Sequence, residues 1–199
     1  MSQRRQCPRC LRPQSVCLCP ALGQCASRHA VTILRHPSEA KSAKGTAHLC
    51  ALVLAQCALV DGETEADFAP LREALSKDPR PLRLLYPGEQ ATPLESLGQE
   101  SEPCQLLVLD GTWKKVHRML QLNPWLQALP KVSFRELPQG NYQIRKAKRT
   151  DSLSTLEAVA YALPLIDHCD TTPLMTAFEA LKQSQLAHMP PSVRKRYPL

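Results

Sequence analysis

Apolar residues follow two rhythms along the chain. Short, dense runs bounded by Pro or Gly occur at 29–37 (HAVTILRHP), 81–88 (PLRLLYPG), 105–111 (QLLVLDG) and 131–137 (KVSFREL), and each predicts a strand. Longer, sparser stretches lie between them. SEAKSAKGTAHLCALVLAQCAL (38–59) predicts a helix capped at Ser38, or one starting near Thr46 because Gly45 interrupts it, with an apolar face at Leu49, Leu52 and Val53. Residues 61–80 are acidic and polar and suit a loop with a short helix, and residues 89–104 are loop-like. TWKKVHRMLQLN predicts a basic helix that stops at Asn123-Pro124. DSLSTLEAVAYALPLI (151–166) predicts an amphipathic helix with Asp151 or Ser152 near its cap, and TPLMTAFEALKQSQLAHM a last helix before a basic tail.

The run at 105–111 is continuous rather than alternating, which implies burial on both faces, as in a parallel sheet. Strands alternating with helices give an α/β layer architecture. In such sheets ligands bind at the carboxyl ends of the strands, where the connections diverge. Asp110 lies at that end of the strongest strand, and Gly111 after it permits close backbone approach. Asp110 is thus a crevice acid or merely a helix cap. Thr112 is a second capping candidate, and Trp113 is either core or pocket wall.

Composition adds a core and a charge. The chain has 199 residues, 43% apolar and 22% charged, enough for a globular domain. No apolar run approaches the roughly 20 residues that span a bilayer, and MSQRRQCPRC lacks the apolar segment of a secretory signal. No membrane association and a cytoplasmic location are expected. A net charge of +7 and a pI near 9.0 suit a polyanionic partner such as nucleic acid. Aromatic residues are only 5%, too few for a broad base-stacking platform.

Nine cysteines are many for a reducing compartment, and five of them crowd the first 25 residues. Cys7, Cys10, Cys17 and Cys19 form C-x2-C-x6-C-x-C, a spacing that lets two close thiol pairs converge on one ion. Four thiols leave no open position, so a structural Zn2+ in a small knuckle (1–28) is expected, with Cys25 a fifth thiol or a substitute ligand. The main α/β domain is placed at 29–183 and a basic tail at 184–199. Arg145, Lys146, Lys148 and Arg149 put four cations in five residues, just before Ser152, Ser154 and Thr155, whose hydroxyls suit an anionic or polar group. Glu157 is either a first-turn helix acid or a pocket residue. His36, Lys41 and Lys44 follow the first strand, His36 being an acid/base or a nucleic-acid contact, and Arg194, Lys195 and Arg196 in the tail suit phosphate contact.

Five blocks in order, CPRC…CLC, ILRHPSEAKSAKGTA, LLYPG, LVLDGTW and LSTLEA, resemble the DTW-domain family from Cys7 to about Leu163. Within it the chain looks most like the bacterial single-domain tRNA-uridine aminocarboxypropyltransferases. The resemblance implies a SPOUT-like α/β fold with a knotted C-terminal part that binds S-adenosylmethionine. It also implies transfer of the 3-amino-3-carboxypropyl group to N3 of a tRNA uridine, with release of methylthioadenosine. Asp110 would be the base and Trp113 the pocket wall. Leu85, Tyr86, Pro87, Gly88, Asp110, Gly111, Thr112, Ser154, Thr155 and Glu157 would hold the co-substrate, and the cations above would hold the tRNA. SPOUT-like relatives often pair, so a homodimer is a further expectation. Two alternatives stay open: a SPOUT-like RNA methyltransferase using the same pocket, and a non-catalytic zinc and RNA-binding module.

Overall fold

A computed structural model describes residues 5–136, 153–190 and 194. Six parallel strands, β1 (Ala30–Arg35), β2 (Cys57–Asp61), β3 (Leu82–Leu85), β4 (Thr92–Pro93), β5 (Gln105–Asp110) and β6 (Lys131–Ser133), form one sheet in the order β2-β1-β5-β3-β6-β4. Side chains alternate between its faces. Val31, Ile33, Leu106 and Val108 join α1 (Ala47–Val53), α5 (Thr155–Ile166) and α6 (Thr172–Ala187) in one core. Leu34, Leu84 and Leu107 meet α2 (Glu65–Ser76), α3 (Trp113–Leu122) and the single-turn α4 (Pro124–Gln127) in the other. The protein is therefore a three-layer α/β/α domain with a parallel sheet, and β5, bonded on both edges and covered on both faces, is its centre.

Four expectations need correction. The helix expected over 38–59 ends at Val53, and the chain returns as β2, an edge strand paired with β1. Leu49 to Val60 is so evenly apolar that no Gly or Pro marks the break. The 61–80 region holds a full twelve-residue helix, α2, started by a capping box in which Thr64 and Asp67 satisfy each other's backbone N–H. Residues 89–104 contain the two-residue β4. Finally, α5 is capped by Ser154 and is buried nearly all round, so it is an interior helix rather than an amphipathic one. Among the described residues no helix is long and apolar enough to cross a membrane. A knotted C-terminal part would have to be traced through residues 137–152, which lie outside the described residues.

The end of the sheet remote from the strand carboxyl ends is pinned by polar groups. His29, 1% exposed, accepts the Cys104 N–H on Nδ1 at 3.1 Å and so donates from Nε2 to the Ile166 carbonyl at 2.9 Å. Burial pushes its pKa below the ordinary value, against the pull of the Ile166 carbonyl and Asp167. For Asp167, burial favours the neutral form. The Arg28 and His168 N–H groups, the Ser27 hydroxyl and the Arg28 guanidinium more than offset this and hold its carboxyl at about 2. An unfolded imidazole titrates near 6.5, so acid protonates the unfolded chain before the folded one. The His29 contribution to stability is complete above that pH and is lost as pH falls toward the depressed folded value. The urea midpoint is expected to be lower at pH 5.5 than at 7.5, and a His29→Gln variant should lose that part of the dependence. Equal midpoints in the wild type would contradict the locked neutral imidazole.

Candidate active site

The connections leave the two central strands in opposite directions. From β1 the chain runs through α1 on one face to β2, and from β5 through α3 and α4 on the other face to β6. The divergence between β1 and β5 is the position where α/β sheets hold ligands. Asp110, 6% exposed, closes β5 there, and its carbonyl accepts the His36 N–H from the end of β1 at 2.9 Å. The even residues of β5 face α5, so the Asp110 carboxylate meets the first turn of that helix, where the Thr155 hydroxyl donates to Oδ1 at 2.5 Å. The two sequence blocks LVLDGTW and LSTLEA are thus joined by one hydrogen bond across 45 residues.

Asp110 is not a helix cap: Thr112 occupies the N-cap position of α3, with no side-chain capping bond. Nor is Trp113 core, being 52% exposed at the crevice rim, with its ring edge-to-face with Tyr86 at 6.4 Å between centroids. Tyr86 is anchored by its N–H to the Val132 carbonyl, and burial raises its phenol pKa, which keeps it protonated. Gly111 sits where a Cβ would come within 3.3 Å of Lys115 Cβ and 3.6 Å of His36 Cβ, so the glycine lets α3 start close against the strand ends.

Around this rim, ion pairs fix the elements to one another. Lys115 binds Glu39 at 2.6 Å, and Glu63 takes Arg118 at 2.8 Å with His36 Nε2 at 3.4 Å. Each such pair is worth no more than about 1 kcal/mol at a wet surface; their effect is to hold α3 and the loop after β1 in register. Glu39, Glu63, Lys115 and Arg118 were invisible as a set in the sequence, because partners lie up to 76 residues apart. Only the i, i+3 spacing of Lys115 and Arg118 hinted at a shared helix face.

The expected co-substrate residues cluster at this end of the sheet. Leu85 is half-buried against the core, while Pro87 and Gly88 are exposed just beyond β3. Ser154 and Glu157 form a capping box: the serine hydroxyl accepts the Glu157 N–H, and the buried Glu157 carboxylate accepts the Ser154 N–H at 2.8 Å. Lys41 and Lys44 are exposed on the loop after β1, and Arg194 is exposed in the tail. Arg145, Lys146, Lys148, Arg149, Lys195 and Arg196 lie outside the described residues, as do Asp151 and Ser152.

Cys7, Cys10, Cys17 and Cys19 come together, with sulfurs all within 4.8 Å. Cys7 and Cys19 are 3.5 Å apart, Cys10 and Cys17 3.7 Å. A tetrahedron with metal–sulfur bonds of about 2.3 Å has edges of about 3.8 Å, so the donor set fits one soft divalent ion. The backbone N–H groups of Cys10 and Arg9 hold the Cys7 thiol down to about 6, whereas burial and neighbouring sulfurs push Cys19 up to about 12. A cation among them would reverse that second effect. Cys25 is not a fifth ligand: it is 2% exposed in the core and bridged to Leu54.

A buried acid at the switch point of a parallel sheet with helices on both faces defines the class as a three-layer α/β protein. The DTW domain profile matches residues 4–186, and the chain belongs to the DTW-domain family. It is similar to tRNA-uridine aminocarboxypropyltransferase 2 of Drosophila melanogaster, 32% identical over 173 residues, which cover 83% of this chain and 68% of that protein. The proteins of the same name from Mus musculus and Macaca fascicularis are each 31% identical, over 94% of this chain and 65% of their own lengths. The chain thus spans about two thirds of the length of these relatives.

The Asp110–Thr155 bond carries a direct prediction. Thr155→Val removes the hydroxyl donor and keeps the shape, and should lower turnover about tenfold or more while moving the acid limb of the rate profile to higher pH. Thr155→Ser should restore both. A valine variant with wild-type turnover and pH profile would show that the bond is only structural.

Proposed function

We propose that the protein is a tRNA-uridine aminocarboxypropyltransferase that moves the 3-amino-3-carboxypropyl group of S-adenosylmethionine to N3 of a tRNA uridine. The observation that carries this is the buried Asp110 carboxylate, held by Thr155 at the switch point of the sheet. The names of the relatives supply the reaction class. The sulfonium of the co-substrate makes its attached carbon electrophilic and provides a neutral thioether leaving group. The uridine N3–H is a weak acid, so attack needs a base to take its proton as the N–C bond forms and the C–S bond breaks. Asp110 takes that proton. Thr155 orients the carboxylate, and Gly111 lets α3 start close beside it.

Trp113, exposed at the rim, shapes the pocket wall and offers a face to a planar ring. Residues 85–88, Thr112 and the first turn of α5 at Ser154–Glu157 line the co-substrate side. Ser154 and Glu157 hold each other in the capping box and so shape that turn. The SPOUT-like knotted part belongs to this proposal as well. His36, Lys41, Lys44 and the cations at 145–149 and 194–196 bind tRNA phosphates. Zn2+ is the ion proposed for the four thiols of the knuckle at 1–28, where it braces the fold.

The by-product tests the proposal. Carboxypropyl transfer releases methylthioadenosine, whereas methyl transfer from the same co-substrate leaves S-adenosylhomocysteine. Chromatography of a reaction with unmodified tRNA should show the former alone, and S-adenosylhomocysteine in its place would refute the proposal.

A further inference from the structure

The charge of the chain is unevenly placed. Residues 1–60 contain eight Lys and Arg against a single acid, Glu39, while residues 61–199 contain seventeen of each sign. All of the +7 net charge therefore belongs to the knuckle, β1, the loop after β1 and α1. That single acid is neutralised by Lys115 at 2.6 Å.

Arg28 lies at the far end of the sheet with Asp167, and Arg35 pairs with Asp61, whereas Arg9, Arg12, Lys41 and Lys44 are brought to the mouth of the site. Residues 36–48 leave the carboxyl end of β1 and are gripped from two sides. The knuckle docks on one side, where the Arg12 guanidinium donates to the Ala43 carbonyl and His48 Nε2 lies against the Arg9 carbonyl, both at 3.1 Å. Helix α3 holds the other side through Lys115 and Glu39. Arg9 on the knuckle, Lys41 and Lys44 on the loop, and Lys114 and His117 on α3 are all exposed, so one basic ridge runs from the metal knuckle past the crevice to the Trp113 end of α3.

We infer that the knuckle is an RNA-binding arm: Arg9 and Arg12, with Lys41 and Lys44, grip the phosphate backbone beside the target nucleotide, and Lys114 and His117 extend that grip along α3. This rests on the proposed function and assigns the knuckle a partner as well as a bracing role. A ridge whose two neighbouring carboxylates, Glu39 and Glu63, are each paired with a cation of α3 suits a polyanion with regularly spaced charges. Its position beside Asp110 suits an RNA whose base must reach that acid. Few aromatic residues accompany it, so it holds backbone rather than reads bases.

The test uses the full-length, metal-loaded protein and an unmodified tRNA transcript, with affinity measured by fluorescence anisotropy across a salt series. Arg9→Glu with Lys41→Glu should weaken binding tenfold or more and flatten the log–log salt slope by about 1 to 2. S-adenosylmethionine affinity and melting temperature should stay unchanged. Arg72→Glu with Lys77→Glu, on α2, changes the net charge equally and should weaken binding less than threefold. Arg9→Gln with Lys41→Gln, which adds no repulsion, should fall between the two. Should the Arg9/Lys41 reversal bind like the α2 control while the wild type still modifies tRNA, the arm is overturned and the enzyme stands. A wild type with no tRNA affinity at all would overturn both.

Discussion

Asp110→Asn is expected to lower turnover about 10^3-fold, equivalent to about 4 kcal/mol of barrier, while co-substrate and tRNA affinities stay within a few-fold of wild type. Asparagine keeps the size of the side chain and can still accept the Thr155 hydroxyl, so the packing at the end of β5 survives. What it cannot do is take a proton from uridine N3. The carboxylate is almost fully buried and fixed between β1, β5 and α5, so bulk water is poorly placed to substitute for it. Single-turnover rates with both substrates saturating are the proper measurement, since they exclude product release. An Asn variant within tenfold of wild type would remove Asp110 from the role of base. Alanine is the poorer probe, because it also opens a cavity beside Thr155.

The second large effect concerns the cysteine cluster. Removing the ion with a strong chelator, or replacing Cys10 with Ser, is expected to destabilise the protein by about 3 kcal/mol or more, a drop of roughly 6–12 °C in melting temperature for a chain of this size. The knuckle has few apolar residues of its own, but Leu18 and Cys25 enter the main core and Arg12 and His48 tie it to the loop after β1. Losing the ion therefore loosens part of the core as well as the knuckle. Calorimetry with and without chelator, beside elemental analysis giving one zinc per chain, would check this. A protein purified without metal and indifferent to chelator would refute the structural role. Because thiolates are the ligands, the ion should also leave more readily as pH falls.

Much of the sheet was legible because its strands are short β-rich runs with Pro or Gly at their ends, and because the unbroken run at 105–111 announced a strand covered on both faces. The strand ends expected to matter do converge, since a parallel sheet brings all its carboxyl ends to one side. β2 was hidden because its residues continue the apolar stretch of α1 with only Leu54, Ala55 and Gln56 between them. β4 is two residues long and pairs only through tertiary context. In the site, the four thiols were readable from spacing, and Asp110 from its place at the carboxyl end of β5. The bond from Thr155 to Asp110 and the pairs made by Glu39 and Glu63 were not, because sequence carries no record of which distant side chains a fold will bring into contact. The same limit hid the docking of the knuckle against the loop after β1.

Nucleoside mass spectrometry tests the central claim most directly. Purified protein is incubated with unmodified tRNA and S-adenosylmethionine, and the tRNA is then digested to nucleosides. The account predicts a uridine heavier by one aminocarboxypropyl group, absent when Asp110→Asn replaces the wild type. A uridine heavier by a single methyl group, or no gain on any of several tRNAs that the protein binds, would contradict it.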